Sequence, residues 1–155
     1  MMIEKSLIAL AALIVLSACS GRERPLPGNG ETEVAFEVAR NYFFKNDRQI
    51  PSSPKITTAE EFGRLFGMAA TMGENGRPTA IDFDREFVLA IVLPVTDVET
   101  EIVPLSVVAK GNTLYYSFQV NRGQEQSFSI QPTSIIILDK KYENMEVSLI
   151  NTNIQ

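Results

Sequence analysis

Leu114-Tyr115-Tyr116-Ser117-Phe118-Gln119-Val120 alternates, with Leu114, Tyr116, Phe118 and Val120 on one side and Tyr115, Ser117 and Gln119 on the other. A period of two predicts a strand with one face in a core and one wetter face. Similar strand-like runs recur at 101–109, 113–121, 127–138 and 145–150, with a shorter one at 79–83. Phe87-Val88-Leu89-Ala90-Ile91-Val92-Leu93 is almost continuously apolar, which predicts a central strand. Lys110-Gly111-Asn112 reads as a compact turn, and Arg122-Gly123-Gln124-Glu125-Gln126 as a longer polar one. Such short connections imply antiparallel neighbours. Pro104 and Pro132 interrupt strand patterns, so each belongs at an edge or bulge and bends the sheet.

The N-terminal part of the domain reads as helical. In 32–45, Ala35, Val38, Ala39 and Tyr42 take the i, i+3, i+4, i+7 spacing of an amphipathic helix, with Thr32 able to cap it and Glu33 suited to its first turn. Pro51 and Pro54 then impose extended backbone. A second helix, about 59–70, is marked by Thr58 and Glu61, whose three-residue offset forms a reciprocal cap, and by the stripe Phe62, Leu65, Phe66 and Ala69. The expected fold class is therefore α+β: two N-terminal helices packed on an antiparallel β-meander that curls into a partly open barrel. A flatter sheet with helices on one face is the alternative.

Upstream of this domain lies an address. Lys5 precedes an apolar run from Leu7 to Leu16, and Leu16-Ser17-Ala18-Cys19 places small residues before the only cysteine. This is the pattern of a bacterial lipoprotein signal, with Cys19 as the lipidation site. The apolar run is shorter than the roughly 20 residues a bilayer span needs. Residues 1–18 read as the signal peptide, 19–31 as a lipidated flexible tether rich in Gly, Pro and charge, and 32–155 as a single domain. Ser20 and Gly21 carry no aspartate that would retain the protein at the inner membrane, so the expected address is the outer membrane, with lipid on Cys19 as the membrane contact.

Composition excludes several chemistries. The chain has 14 basic and 19 acidic side chains, and removal of residues 1–18 takes away Lys5 and Glu4, leaving the net charge at −5. Nucleic acid is not an expected partner of such an acidic surface. The chain contains no histidine, which removes the usual zinc sites and Ser-His-Asp or Cys-His catalysis. Lipid blocks the one thiol. The clusters Asp82, Asp84, Glu86 and Asp97, Glu99, Glu101 lack the glycine turn of a calcium loop and read as solvated faces. Gly73-Glu74-Asn75-Gly76 lacks the Lys-Ser/Thr of a phosphate loop. Nothing specifies a cofactor or a metal, and the chain reads as a binding protein, not an enzyme.

Loop geometry carries what functional signal there is. Connections in an antiparallel meander alternate between its two ends, so the loops 94–100 and 121–126 share one end. Val95, Thr96, Asp97, Val98 and Glu99 of the first, with Arg122 and Gln124 of the second, form the candidate partner-binding set. Two loops that merely connect strands are the plain alternative. If one of these loops enters a partner's cleft, Pro94 stiffens its entry, Val95 and Val98 are apolar side chains able to fill a pocket, and Asp97 or Glu99 can approach a metal or a basic rim.

Three further stretches, taken with the Cys19 box, carry a family likeness. Asn41-Tyr42-Phe43-Phe44-Lys45-Asn46, Glu61-Phe62 with Leu65-Phe66-Gly67, and Pro78-Thr79 with Ile81-Asp82-Phe83 before a long apolar strand resemble small bacterial surface lipoproteins of the potempin type, over about residues 34–150. The resemblance implies a compact β-barrel domain that inhibits a peptidase, with a secreted or envelope peptidase as partner. A structural or assembly lipoprotein of the envelope is the alternative.

Overall fold

A computed structural model describes residues 24–25, 30–69, 72–73 and 75–153. The expected signal peptide, the expected lipidation site Cys19 and most of the expected tether lie outside them. The first short strands are β1 (Arg24–Pro25), β2 (Glu31–Glu33), β3 (Glu37–Val38), β4 (Tyr42–Phe44) and β5 (Lys55–Ile56). After the helix α1 (Ala59–Leu65) come β6 (Phe66–Met68), β7 (Glu86–Val92), β8 (Thr96–Lys110), β9 (Thr113–Ile130) and β10 (Thr133–Asp139). A 3₁₀ turn (Lys140–Tyr142) leads to β11 (Glu146–Asn151).

The chain from Glu86 to Asp139 is one long hairpin doubled over on itself. β8 and β9 pair around the Gly111-Asn112 turn, where Gly111 takes φ 58°, a conformation that costs glycine little. Beyond the far end of that ladder, Leu93 N–H donates to Pro132 O at 2.9 Å, and β7 then pairs with β10 from Val92↔Thr133 to Glu86↔Asp139. The two halves of the hairpin thus stand in different sheets. One has the order β1-β2-β8-β9-β11 and the other β3-β10-β7-β5.

Between the sheets lies the main core, with Phe87, Leu89 and Ile91 of β7 and Ile136 and Leu138 of β10 against Val107, Leu114, Tyr116 and Phe118. The opposite face of the four-stranded sheet is also covered. There Val88, Ala90, Val92, Ile135 and Ile137 pack under Phe44, Phe62 and Phe66 from α1 and the small β4–β6 pair. A strand buried on both faces has no reason to alternate. That is why 87–92 and 135–138 read as unbroken apolar runs, while β9, with one wet face, alternates.

Two helices on a partly open barrel are not found. The described residues hold one α-helix in a mostly β fold of stacked sheets, with no closed barrel. The stretch expected to be the first helix is instead β2, β3 and β4. Its helical spacing predicts burial of Ala35 and Val38, which are exposed; Val34 is buried and Phe36 packs against the core, the alternation of a strand. Asn41, at φ 62°, takes a conformation no helix interior contains.

The second helix forms, with Thr58 Oγ1 accepting from Glu61 N–H at 3.2 Å, which is one half of the expected reciprocal cap, but it ends at Leu65. Pairing of Phe66–Met68 with Tyr42–Phe44 ends it early. Residues 79–83 form no strand. β11 runs parallel to β9, because the chain crosses from one sheet to the other after β10 and the hairpin rule does not apply across layers. Pro104 sits beside a register shift, the expected bulge.

Candidate functional site

The residues expected on two loops lie together on one paired element. Where the doubled hairpin crosses between sheets, β8 and β9 form a ribbon with Thr96 opposite Ile130, Val98 opposite Glu125 and Thr100 opposite Arg122. Thr96, Asp97, Val98, Glu99, Arg122 and Gln124 are all part of it, and Val95 immediately precedes it, exposed. The expected loops are therefore strands. The polar run 122–126 continues β9 because Arg122 and Glu125 find partners on β8, Thr100 and Val98, something local composition does not reveal.

The two strands are unequal in length. Two steps of β8 from Thr96 to Val98 face five steps of β9 from Glu125 to Ile130, and two from Val98 to Thr100 face three from Arg122 to Glu125. The surplus lies in β9 and bulges outward. Phe128, flanked by Ser127 and Ser129, is 59% exposed on that bulge. Sequence reasoning passed over it, since Ser-Phe-Ser-Ile reads as ordinary strand alternation; an apolar ring isolated between serines was the available signal.

Short-range hydrogen bonds stiffen the β8 side. Val98 N–H donates to Thr96 Oγ1 at 3.1 Å, and Thr100 Oγ1 donates to Val98 O at 2.9 Å. Asp97, Glu99 and Glu101 are exposed and form an acidic row, with the Glu99 side chain lying over Gly123, where a Cβ would collide with it. The base of the ribbon is tied off by the C-terminal segment: the Asn153 side chain accepts from Val120 N–H at 2.6 Å and donates to Val120 O. Beyond that clasp β9 has β8 as its one sheet partner. The arrangement can present a preformed acidic and apolar edge to another surface. It assembles no group of three or more Asp, Glu, His or Cys suited to a metal among the described residues.

The other acidic cluster is a turn. Asp82 accepts from Arg85 Nε at 2.8 Å and from Asp84 N–H at 3.1 Å, and the hydrogen bond from Arg85 holds its carboxyl below the usual range. Glu86 Oε2 accepts from Asp82 N–H at 2.9 Å. These carboxylates shape the entrance to β7.

A second concavity lies on the far side of the four-stranded sheet. It is an apolar groove of about 570 Å³ lined by Tyr42, Phe62, Phe66, Ile81 and Phe83, with Arg77 among its lining residues. Tyr42, Phe66 and Phe83 each stand within 4.9–5.6 Å of or in direct stacking series with the Phe62 ring. No local pattern marks it, because its walls come from segments whose sequences predict helix, loop and strand.

Comparison with family models, characterised proteins and solved structures gives no match for this chain.

Proposed function

We propose that the protein is an envelope-anchored lipoprotein that binds a protein partner through the 96–101/121–130 ribbon, and that the partner is a secreted or envelope peptidase, as the likeness to potempin-type lipoproteins implies. The observation that carries this reading is the convergence of Val95, Thr96, Asp97, Val98, Glu99, Arg122 and Gln124 with the exposed Phe128 on one ribbon outside the core. The anchor follows from the Cys19 box. The mode of engagement changes from a single inserted loop to a two-stranded ribbon. The pairs at Thr96, Val98 and Thr100 and the hydroxyl bonds of Thr96 and Thr100 hold β8 extended, so little ordering entropy of that strand is lost on docking, and a backbone so held is slow to adopt a cleavable geometry. The acidic row would meet a basic rim, and Phe128 and Val98 would supply apolar anchors.

The test is capture with the mature chain carrying Cys19→Ser, from culture fluid and solubilised membranes, followed by residual-activity assays on the peptidases retained. Inhibition near one-to-one stoichiometry supports the reading. Asp97→Ala and Val98→Arg should weaken it at least tenfold while Asn112→Ala, at the opposite end of the hairpin, leaves it unchanged. Capture of envelope proteins with no effect on proteolysis would instead favour an assembly lipoprotein.

A further inference from the structure

We infer that the groove beneath α1 is a binding site for a small amphiphile with one anionic head and an apolar body, a free aliphatic carboxylate being the simplest member. Three observations combine. The first is size and lining: about 570 Å³, walled by aromatic and aliphatic side chains, falls within the range of small-molecule sites.

The second is that the groove is braced. Asn41, at φ 62°, directs its Nδ2 to Asn75 O at 2.6 Å and to Arg77 O at 2.9 Å. Tyr42 donates its hydroxyl to Thr79 O at 2.7 Å, and Arg40 N–H donates to Thr79 Oγ1 at 2.9 Å while Thr79 N–H donates to Arg40 O at 3.2 Å. The outer wall, which has no strand or helix of its own, is thereby pinned to the strand β4 and its approach. A positive φ at a residue other than glycine costs energy, and the surrounding hydrogen bonds hold it.

The third observation is charge. Arg77 lines the groove and is exposed, and its guanidinium has no carboxylate partner among the described residues. In a chain of net charge −5, an arginine with no carboxylate partner among the described residues, set beside an apolar slot, is complementary to an anion whose remaining surface is apolar. The aromatic floor would take the hydrocarbon, and Arg77 would hold the head at the solvent edge. The site is separate from the ribbon and does not depend on its role.

Decanoate is the probe, with decanol as its uncharged counterpart, titrated into the mature chain carrying Cys19→Ser and followed by amide NMR shifts and calorimetry. Decanoate should shift the amides of Gly63, Met68 and Ala80 saturably and bind about fivefold more tightly than decanol, the scale of one exposed ion pair. Arg77→Gln should bring decanoate down to the decanol level and leave decanol unchanged. Gly63→Leu adds a side chain where a Cβ meets nothing within 4 Å, on a helix position that tolerates it, and should abolish binding of both without unfolding the chain. No saturable shift, equal affinity for the two probes, or wild-type binding by Gly63→Leu would each overturn the assignment.

Discussion

Tyr116 is the largest side chain fully enclosed in the core between the sheets, and its hydroxyl makes no hydrogen bond of ordinary geometry. Burial pushes its pKa up to about 12, with nearby Ser134, the buried polar residue of β10, opposing the rise. Tyr116→Phe keeps the ring and its 5.8 Å contact with Phe118 and removes only the oxygen. An unsatisfied buried group costs about 1–3 kcal/mol, so the variant should be as stable as the parent or more stable by roughly 1 kcal/mol at neutral pH. At alkaline pH the sign is fixed. The unfolded tyrosine ionises near 10 while the folded one keeps its proton to about 12, so stability falls as pH rises above 10. For one group this amounts to roughly 1.3 kcal/mol between pH 9 and 11. Urea unfolding followed by far-ultraviolet circular dichroism at pH 7, 9 and 11 measures both effects. Tyr42, also raised by burial, contributes equally to both proteins and cancels in the difference. A loss above about 1 kcal/mol at pH 7 would mean that the hydroxyl does bond Ser134. An alkaline slope unchanged by the mutation would refute the burial argument.

Phe66→Ala should cost about 3–5 kcal/mol in denaturant unfolding, because its ring is 3% exposed and packs against Phe44 and Phe62. A cost below 1 kcal/mol would make α1 and its neighbours peripheral. Thr58→Ala should cost only about 1 kcal/mol through the lost cap on α1, read by the same unfolding assay. Cys19→Ser should move the protein from membrane to soluble fractions, and continued membrane fractionation would refute lipid anchoring.

What could be read from the sequence was whatever depends on neighbours in the chain. The alternation of 114–120, the Gly111 turn, the Thr58 half of the cap and the bulge near Pro104 are local, and all are present. The apolar run at 87–93 showed that β7 is central, although its second covering layer was not deducible. Residues 32–45 were misread because alanine and valine spacings satisfied a period of 3.6 while Val34 and Phe36 satisfied a period of two. Pairing of β2 with β8 and of β4 with β6 decided between them. Such pairings join distant segments and leave no mark on either one alone. The same reason hid the ribbon's pairing: its seven expected residues were chosen as two loops at one end, and their register came only from the fold. The groove was hidden more completely, because Tyr42, Phe62 and Phe83 meet across three separate segments.

A corner between two sheets has to bend, and bulges alone would explain an exposed ribbon without any partner. β9 takes eight steps from Arg122 to Ile130 where β8 takes four from Thr100 to Thr96, and Ser127, Phe128 and Ser129 make none of the ladder pairs. Deleting Ser127, Phe128 and Ser129 would leave Gln126 opposite Asp97 and preserve both flanking pairs, Val98↔Glu125 and Thr96↔Ile130. Stability should change by no more than about 1 kcal/mol, because shortening an exposed bulge alters little loop entropy and buries no new surface. Partner capture and peptidase inhibition should be lost together with Phe128. An unfolded deletion variant would show that the bulge is structural, and Phe128→Ser then isolates the ring: retained stability with lost binding makes it an anchor, whereas retained binding removes the ribbon from recognition and leaves it as a corner.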